Sequence, residues 1–332
     1  MRLMNEIYMR LLSSSVLSIS ALAALSAAAQ AQPQPYPNRP ITVVVPYPPG
    51  GATDPIARIF TVKLAEAWKV PIIIENRAGG GTTIGMSYGA RAAPDGYTIT
   101  VGTTSVGTNP ALYDKLPYDT MKDFTFISQM GILQLVLSVH PSLPVSTLDE
   151  LIAYAKKNPS KLNYSSFGNG TMGHLSGEYF KVSAGIDVTH VPYKGSAAST
   201  MAVVGGEVSY AIDTLFIQSQ HIKAGSIKPL VSFGPKRLES MPNMPAMVEK
   251  YPGFTAFSWL GFMGPAGLPP EIVLKWSTEV SKIANTPEVK ERLAQLGVDA
   301  LGGTPQQFAD FAQAEITKWT KVVGEAKIPK EN

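Results

Sequence analysis

Apolar and polar residues fall into short blocks that predict alternating strands and helices. Residues 41–45, ITVVV, form a β-branched apolar run of the kind that makes a buried strand. Pro46, Pro48 and Pro49 end it, because proline has no amide proton to give a ladder. Gly50 and Gly51 free the backbone to turn, Thr53 or Asp54 suits a helix cap, and Pro55 suits the first helical position. A helix is predicted over 55–68, with Ile56, Ile59, Phe60, Leu64 and Ala67 on one face. A strand at 71–74, the glycine-rich loop 76–83 and a helix over 86–93 follow. The turn Pro94-Asp95-Gly96 then leads to a strand at 97–101 and a loop of small donors at 102–109. This β-α-β-α-β order predicts parallel strands in a doubly wound sheet, whose ligands sit beyond the carboxyl ends of the strands, where all three loops lie.

The middle of the chain repeats the pattern. An apolar run at 133–139 ends at His140-Pro141. Thr147 and Glu150 form a capping box for a helix over 148–157. Strands are predicted at 162–166, 188–191, 208–212 and 227–233, and helices over 174–183, 197–204 and 216–224. After a Pro- and Met-rich connection at 241–252, residues 255–263 are extended and aromatic. The tail reads as helices over 270–284, 287–296 and 305–323, the last capped by Thr304. The fold class expected is α/β with two domains, each a doubly wound sheet flanked by helices. Residues 133–139 and 255–263 are the expected crossings. Domain 1 is then discontinuous, 32–136 with 258–332, and domain 2 is 137–257. Two sequential domains would leave the last third too little strand for its own sheet.

Residues 1–31 read as a signal peptide: Arg2 and Arg10, an apolar run over 11–29, and an A-x-A site at Ala29-Gln30-Ala31 that leaves Gln32 as the new N-terminus. A membrane anchor fits less well, because serines interrupt the run and no basic flank follows. The expected location is the periplasm. The chain has no cysteine, which excludes thiol catalysis and zinc–cysteine sites. Removing Arg2, Arg10 and Glu6 with the leader takes the formal charge from +3 to +2, with no basic run, so nucleic acid is not an expected partner. Charged residues are 16% of the chain, so many loops are Gly, Ser, Thr or Pro and bind through amides and hydroxyls.

Two strand–glycine–helix turns are candidates for anion binding: the one at 41–58, and Gly168-Asn169-Gly170-Thr171-Met172-Gly173, which fits G-x-G-x-x-G. Asp187 lies at the spacing of a ribose-binding acid, but it precedes its strand instead of following it, which argues against a dinucleotide. No phosphate-loop lysine follows Gly79-Gly80-Gly81. Ser105 is followed by Gly107 but preceded by Thr103 where a nucleophile elbow needs glycine. His140, His174, His190 and His221 lack metal-ligand spacing, so no metal and no cofactor are expected. His140 and His190 read as structural. His174 either serves a pocket or braces its helix start. Asp54 and Asp213 read as braces for loops or holders of water.

VPYPPGGATD, NRAGGGTTIG, APDGYT, NPALY, GNGTMGHL, VPYKGS, GGEVSYAIDT and HIKAG occur in order over nearly the whole mature chain. Together they resemble the Bug or TctC-type periplasmic solute-binding proteins, which serve tripartite tricarboxylate transporters or stand as orphan receptors. The resemblance implies a clamshell that grips a small carboxylate between its domains through neutral loop groups and ordered water. Carried over, it implicates Tyr47, Pro49, Gly50, Gly51, Thr53 and Asp54 in the first loop, and Thr103, Ser105 and Asn109 at the third strand's end. From the second domain it implicates Gly168, Gly170, Thr171, His174, Tyr193, Lys194, Ser196 and Asp213. The partners implied are a small carboxylate and the membrane components of such a transporter, or none for an orphan receptor. A monomer is expected. The rival reading is an exported hydrolase-like enzyme using the same cleft, for which no nucleophile–base pair is legible. Dicarboxylates, tricarboxylates, amino acids and aromatic acids all suit the family. Asp213 pairing with a ligand amine would favour an amino acid.

Overall fold

The computed structural model describes residues 35–49 and 53–331. The expected leader, and Gly50 and Gly51, lie outside the described residues. Residues 35–38 hold no helix or strand. From Arg39 onward the elements are β1 (Ile41–Val45), α1 (Thr53–Trp68), β2 (Ile72–Asn76), α2 (Thr83–Ala90), β3 (Thr98–Thr103), α3 (Ser105–Leu112), β4 (Phe124–Leu133), β5 (Leu135–Val139), α4 (Leu148–Lys157), β6 (Asn163–Ser166), α5 (Met172–Ala184), β7 (Thr189–Pro192), α6 (Ser196–Val204), β8 (Tyr210–Thr214), α7 (Leu215–Lys223), β9 (Lys228–Ser232), α8 (Met247–Lys250), β10 (Ser258–Pro265), α9 (Pro270–Ala284), α10 (Pro287–Gln295), β11 (Val298–Ala300) and α11 (Pro305–Glu325).

The strands form two sheets, ordered β11-β4-β10-β3-β1-β2 and β7-β6-β8-β5-β9. In the first, β1 pairs in parallel with β2 and β3, while β10 runs antiparallel to β3 and β4. Ile41, Val43, Val44 and Val45 are fully buried, as expected of a strand covered on both faces. In the second, β6 is parallel to β7 and β8, and β5 is antiparallel to β8 and β9. Both sheets are therefore mixed, with the parallel strands at the glycine-loop side of each.

Gln134 alone separates β4, in the first sheet, from β5, in the second. Its carbonyl accepts from the amide of Leu215, and its side chain donates to Asp299 at 2.7 Å. The return crossing lies alongside, where Ser258 pairs with Leu133. Helix α11 also reaches both cores. Phe308 and Ala312 pack with Phe126 and Trp259 of the first, whereas Trp319, Val322 and Val323 pack with Leu175 and Phe180 of the second. Its buried Glu315 is bonded by Lys318 and by the Trp319 indole N–H, so the helix carries a charge through an apolar region at little cost.

Four elements differ from the sequence expectation; one is the single-turn helix α8, inside the connection expected at 241–252. The loop expected at 102–109 is in large part helical: residues 105–112 are helix α3. Ser, Gly, Thr, Asn and Pro are poor helix formers, but every residue except Pro110 is buried, and Gly107 lies against Glu315 of α11. Tertiary packing overrides propensity here. Residues 124–132 extend the expected crossing into a ten-residue strand whose pairing with β10 is irregular at two places, which blurs its period-two pattern. Val298–Ala300 is a three-residue edge strand, too short to leave a periodic trace.

Candidate functional site

A cleft of about 700 Å³ opens between elements of the two sheets. Its first wall is built at the carboxyl ends of β1, β2 and β3. Tyr47, the 78–82 loop and the start of α3 line it. A relay of hydroxyls ties these together. Tyr47 Oη and Thr103 Oγ1 are 3.2 Å apart, Thr103 Oγ1 and Ser105 Oγ 3.0 Å apart, and Thr82 donates to Ser105 at 2.8 Å. Asn109 donates to the Gly81 carbonyl at 3.0 Å, and Tyr113 to the Gly80 carbonyl at 3.4 Å. Tyr47 is partly exposed as a residue, but its hydroxyl is enclosed. Burial pushes it above the usual phenol range, with the Thr103 and Ser105 hydroxyls acting in the other direction. Burial pushes the Tyr118 hydroxyl, a partner of Asn109, up to about 12. The wall thus presents neutral groups at physiological pH.

The 79–82 turn is tight. Gly79, Gly80 and Gly81 have positive φ, and a Cβ on Gly81 would strike the Tyr113 hydroxyl. Thr82 holds φ 81, a strained value for a β-branched residue, and is kept there by its bonds to Ser105 and Asn109. Such strain costs about 1–3 kcal/mol and concentrates at ligand-binding positions.

The second wall is the loop between β6 and α5. Phe167, Asn169, Gly170, Thr171 and Met172 face the cleft. Histidine holds this loop from behind. The Gly170 amide donates to His174 Nδ1 at 3.1 Å, and Ser166 Oγ is 2.7 Å from His190 Nε2. The two rings stack at 4.1 Å between centroids. Burial lowers both pKa values, that of His190 to about 3, with its neighbour His174 adding to the effect; Lys181 lowers both and Glu178 opposes the shift at His174. Both rings are therefore neutral at pH 7, as His174 must be for Nδ1 to accept.

The structure brings together Tyr47, Ser105, Asn109, Gly170 and Thr171 on the cleft lining. Thr103 sits one hydrogen bond behind, in the relay. Gly168 is also behind, its carbonyl taken by Thr171 Oγ1 at 2.6 Å and Ser166 Oγ at 3.1 Å. Of the two roles open to His174, the geometry shows the brace. Asp54 is buried and bonded by Arg58 at 2.8 Å and Asn76 at 3.1 Å, so it fixes the start of α1. Pro49, Thr53, Tyr193, Lys194 and Ser196 are not among the described lining residues. Tyr193 points its hydroxyl to Glu207 at 3.2 Å. Asp213 is fully buried, its Oδ1 accepting the Thr214 amide at 2.7 Å. The Ser196 and Ser199 hydroxyls are near enough to temper its pKa, yet Oδ2 has no hydrogen-bond partner, and burial raises the carboxyl to about 7.

Sequence reasoning missed several lining residues: Pro46, Pro48, Ala78, Gly79, Gly81, Thr82, Thr104, Thr108, Leu112, Tyr113, Phe167, Asn169, Met172, Ser258 and Glu331. Those of the 78–82 loop were signalled by its glycines and its place after β2. Those of α3 were hidden with the helix itself. Glu331 carries no local signal. Among the described lining residues it is the only charged one, with no lysine, arginine or histidine. Ser105 Oγ bonds only hydroxyls, neither of them a base. Among the described residues no three acidic or histidine side chains gather as a metal site.

The profile of the tripartite tricarboxylate transporter family receptor, TctC, matches residues 56–328. Solved structures similar to this chain include the following three. A protein of R. palustris, Rpa4515, solved with adipate, is 36% identical, covers 89% of this chain and 100% of its own, and has a TM-score of 0.79. The periplasmic binding protein BugD is 29% identical over 89% of this chain and 100% of its own, at 0.76. MatC of Rhodopseudomonas palustris, solved with malate, is 33% identical over 87% of this chain and 100% of its own, at 0.73. With a family match over residues 56–328 and similar solved structures that cover 89% of it, this chain belongs to the TctC family of tripartite tricarboxylate transporter receptors.

Proposed function

We propose that this protein is a periplasmic receptor that captures a small organic carboxylate in the cleft and presents it to the membrane components of a tripartite transporter. The observation that carries the reading is a cleft lined from both sheets by neutral donors. An anion is held there by hydroxyls, amides and helix N-termini, each charged hydrogen bond contributing about 1.5–3 kcal/mol. Adipate and malate, bound by the two R. palustris relatives, are small carboxylates of a size such a cleft accepts.

The site residues we propose are Tyr47, Ser105, Asn109, Gly170 and Thr171 at the lining, with Gly50 and Gly51 completing the first loop. We divide the mature chain into lobe 1, residues 32–136 with 258–332, and lobe 2, residues 137–257. A ligand touching both lobes favours the closed arrangement and shifts the open–closed equilibrium toward it. Residues 1–31 are proposed as the leader, and no helix among the described residues is long and apolar enough to cross a membrane. The receptor reading needs no nucleophile–base pair, which favours it over a hydrolase. The test is to incubate the protein with its tightest-binding acid and follow the acid by mass spectrometry. Unchanged acid with saturable binding is expected; steady product formation would overturn the receptor reading.

A further inference from the structure

The cleft has two electrostatically different ends. Helix α3 runs along one wall, with Ser105 at its N-terminus and Leu112 at its C-terminus both on the lining. Eight residues make about 12 Å of helix, positive at the first end and negative at the second. Glu331 sits at the negative end. Its amide donates to the Leu112 carbonyl at 2.7 Å, and it pairs with Tyr113 in a β-bridge. The neighbouring Lys330 is taken by Asp114 at 2.7 Å and so does not neutralise it. The Glu331 carboxylate forms no ion pair with any described residue. Its charge is felt inside the cleft, where it adds to burial in raising the Tyr113 hydroxyl. Across the gap lies the second glycine loop: a Cβ built on Gly170 would stand 4.0 Å from Glu331 Oε1.

We propose that Glu331 is a specificity residue, making the cleft prefer a carboxylate that carries a cationic group at its far end over a dicarboxylate. This rests on the carboxylate-receptor reading above. The ligand's carboxylate lies toward the Ser105 end. A second carboxylate would meet both Glu331 and the carbonyl end of α3, whereas an ammonium group there is attracted by both. A charge of either sign within about 4–6 Å of a carboxylate changes its free energy enough to move affinity roughly tenfold or more.

The test is calorimetric titration of the purified protein with succinate, glutarate and adipate, beside the ω-amino acids of matching length. The wild type should bind an ω-amino acid roughly tenfold more tightly than its matched diacid. Glu331→Gln should close most of that gap, and Glu331→Lys should reverse the order. The tail's main-chain bonds to Leu112 do not depend on this side chain, so both variants should keep the wild-type melting temperature. Tighter binding of diacids to the wild type, with a ratio unmoved in Glu331→Gln, would overturn the inference alone. Binding of neither series would overturn the inference, and the carboxylate reading falls with it only if tricarboxylates and aromatic acids also fail to bind.

Discussion

The two glycine loops that face each other across the cleft are held by different chemistry. The 78–82 loop is gripped by Ser105 and Asn109 of α3 and by Tyr113 just after it, all neutral groups. The 167–171 loop is gripped by His174, whose Nδ1 accepts the Gly170 amide only while unprotonated, and by His190, which bonds the Ser166 hydroxyl and stacks on the His174 ring. The first wall is therefore insensitive to pH across the neutral and acidic range. The second depends on burial keeping the His174 imidazole neutral. A pair of similar-looking sequence motifs has been stabilised by one non-titrating and one titrating support.

Filling each loop should have the largest effect. Gly170 has φ 68, and a Cβ there would lie 3.4 Å from Leu112. Gly170→Val should cost roughly a hundredfold in ligand affinity, about 2.7 kcal/mol, with the melting transition still cooperative. Gly81→Val should cost as much by displacing Tyr113. Full affinity in both variants, read by calorimetry, would remove the loops from the site.

Asp213 should give the next effect, on stability instead of binding. Its carboxyl is raised from 3.8 to about 7. Between those values the unfolded chain has lost the proton that the folded protein keeps. Stability is thus lost as pH rises through that window and stays lost above it. Asp213→Asn should raise stability at about pH 8 by roughly 2 kcal/mol and change it little at about pH 3.5. A destabilised variant at about pH 8 would mean that the ionised carboxylate has a partner. Affinity for an amino acid should survive the change, since the side chain is not on the lining.

His174→Ala should weaken binding about tenfold by leaving the Gly170 amide without its acceptor. In the wild type, affinity should stay level from about pH 8 down past 6.5 and fall only in more acidic solution, because burial has lowered the His174 pKa below that value. A midpoint at 6.5 or above would place the ring in water. The smallest effect is expected at the rim of the first wall. The Arg58 side chain is 53% exposed, and Asn76 also holds Asp54. Arg58→Ala should therefore cost at most about 1 kcal/mol in a thermal melt.

The same contrast explains what was legible in the sequence. The strand at 41–45, the Thr147–Glu150 capping box and the glycine-rich loops at 76–83 and 168–173 were readable as elements because their signals are local, β-branched runs, caps and breakers, although the 76–83 loop supplied none of the expected site residues. The capping box forms with both of its hydrogen bonds. Helix α3 was not readable, because α11, two hundred residues away in the chain on the order of magnitude, supplies the packing that makes those residues helical. His174 looked ambiguous because only the neighbouring ring and the Gly170 amide decide its role. Glu331 was invisible for a different reason. A single acid near a chain end says nothing until the tail is seen pinned to Leu112.

Neutral donors from two sheets are proposed to hold a carboxylate. A thermal-shift screen of the purified protein against small carboxylic acids, each beside its primary amide, tests this most directly. At a hundred times its dissociation constant a ligand adds about 2.7 kcal/mol of stability. Such a shift is expected with at least one acid and none with the matching amide. Equal shifts with acid and amide, or no shift with any acid in a protein shown by native mass spectrometry to be empty, would contradict it.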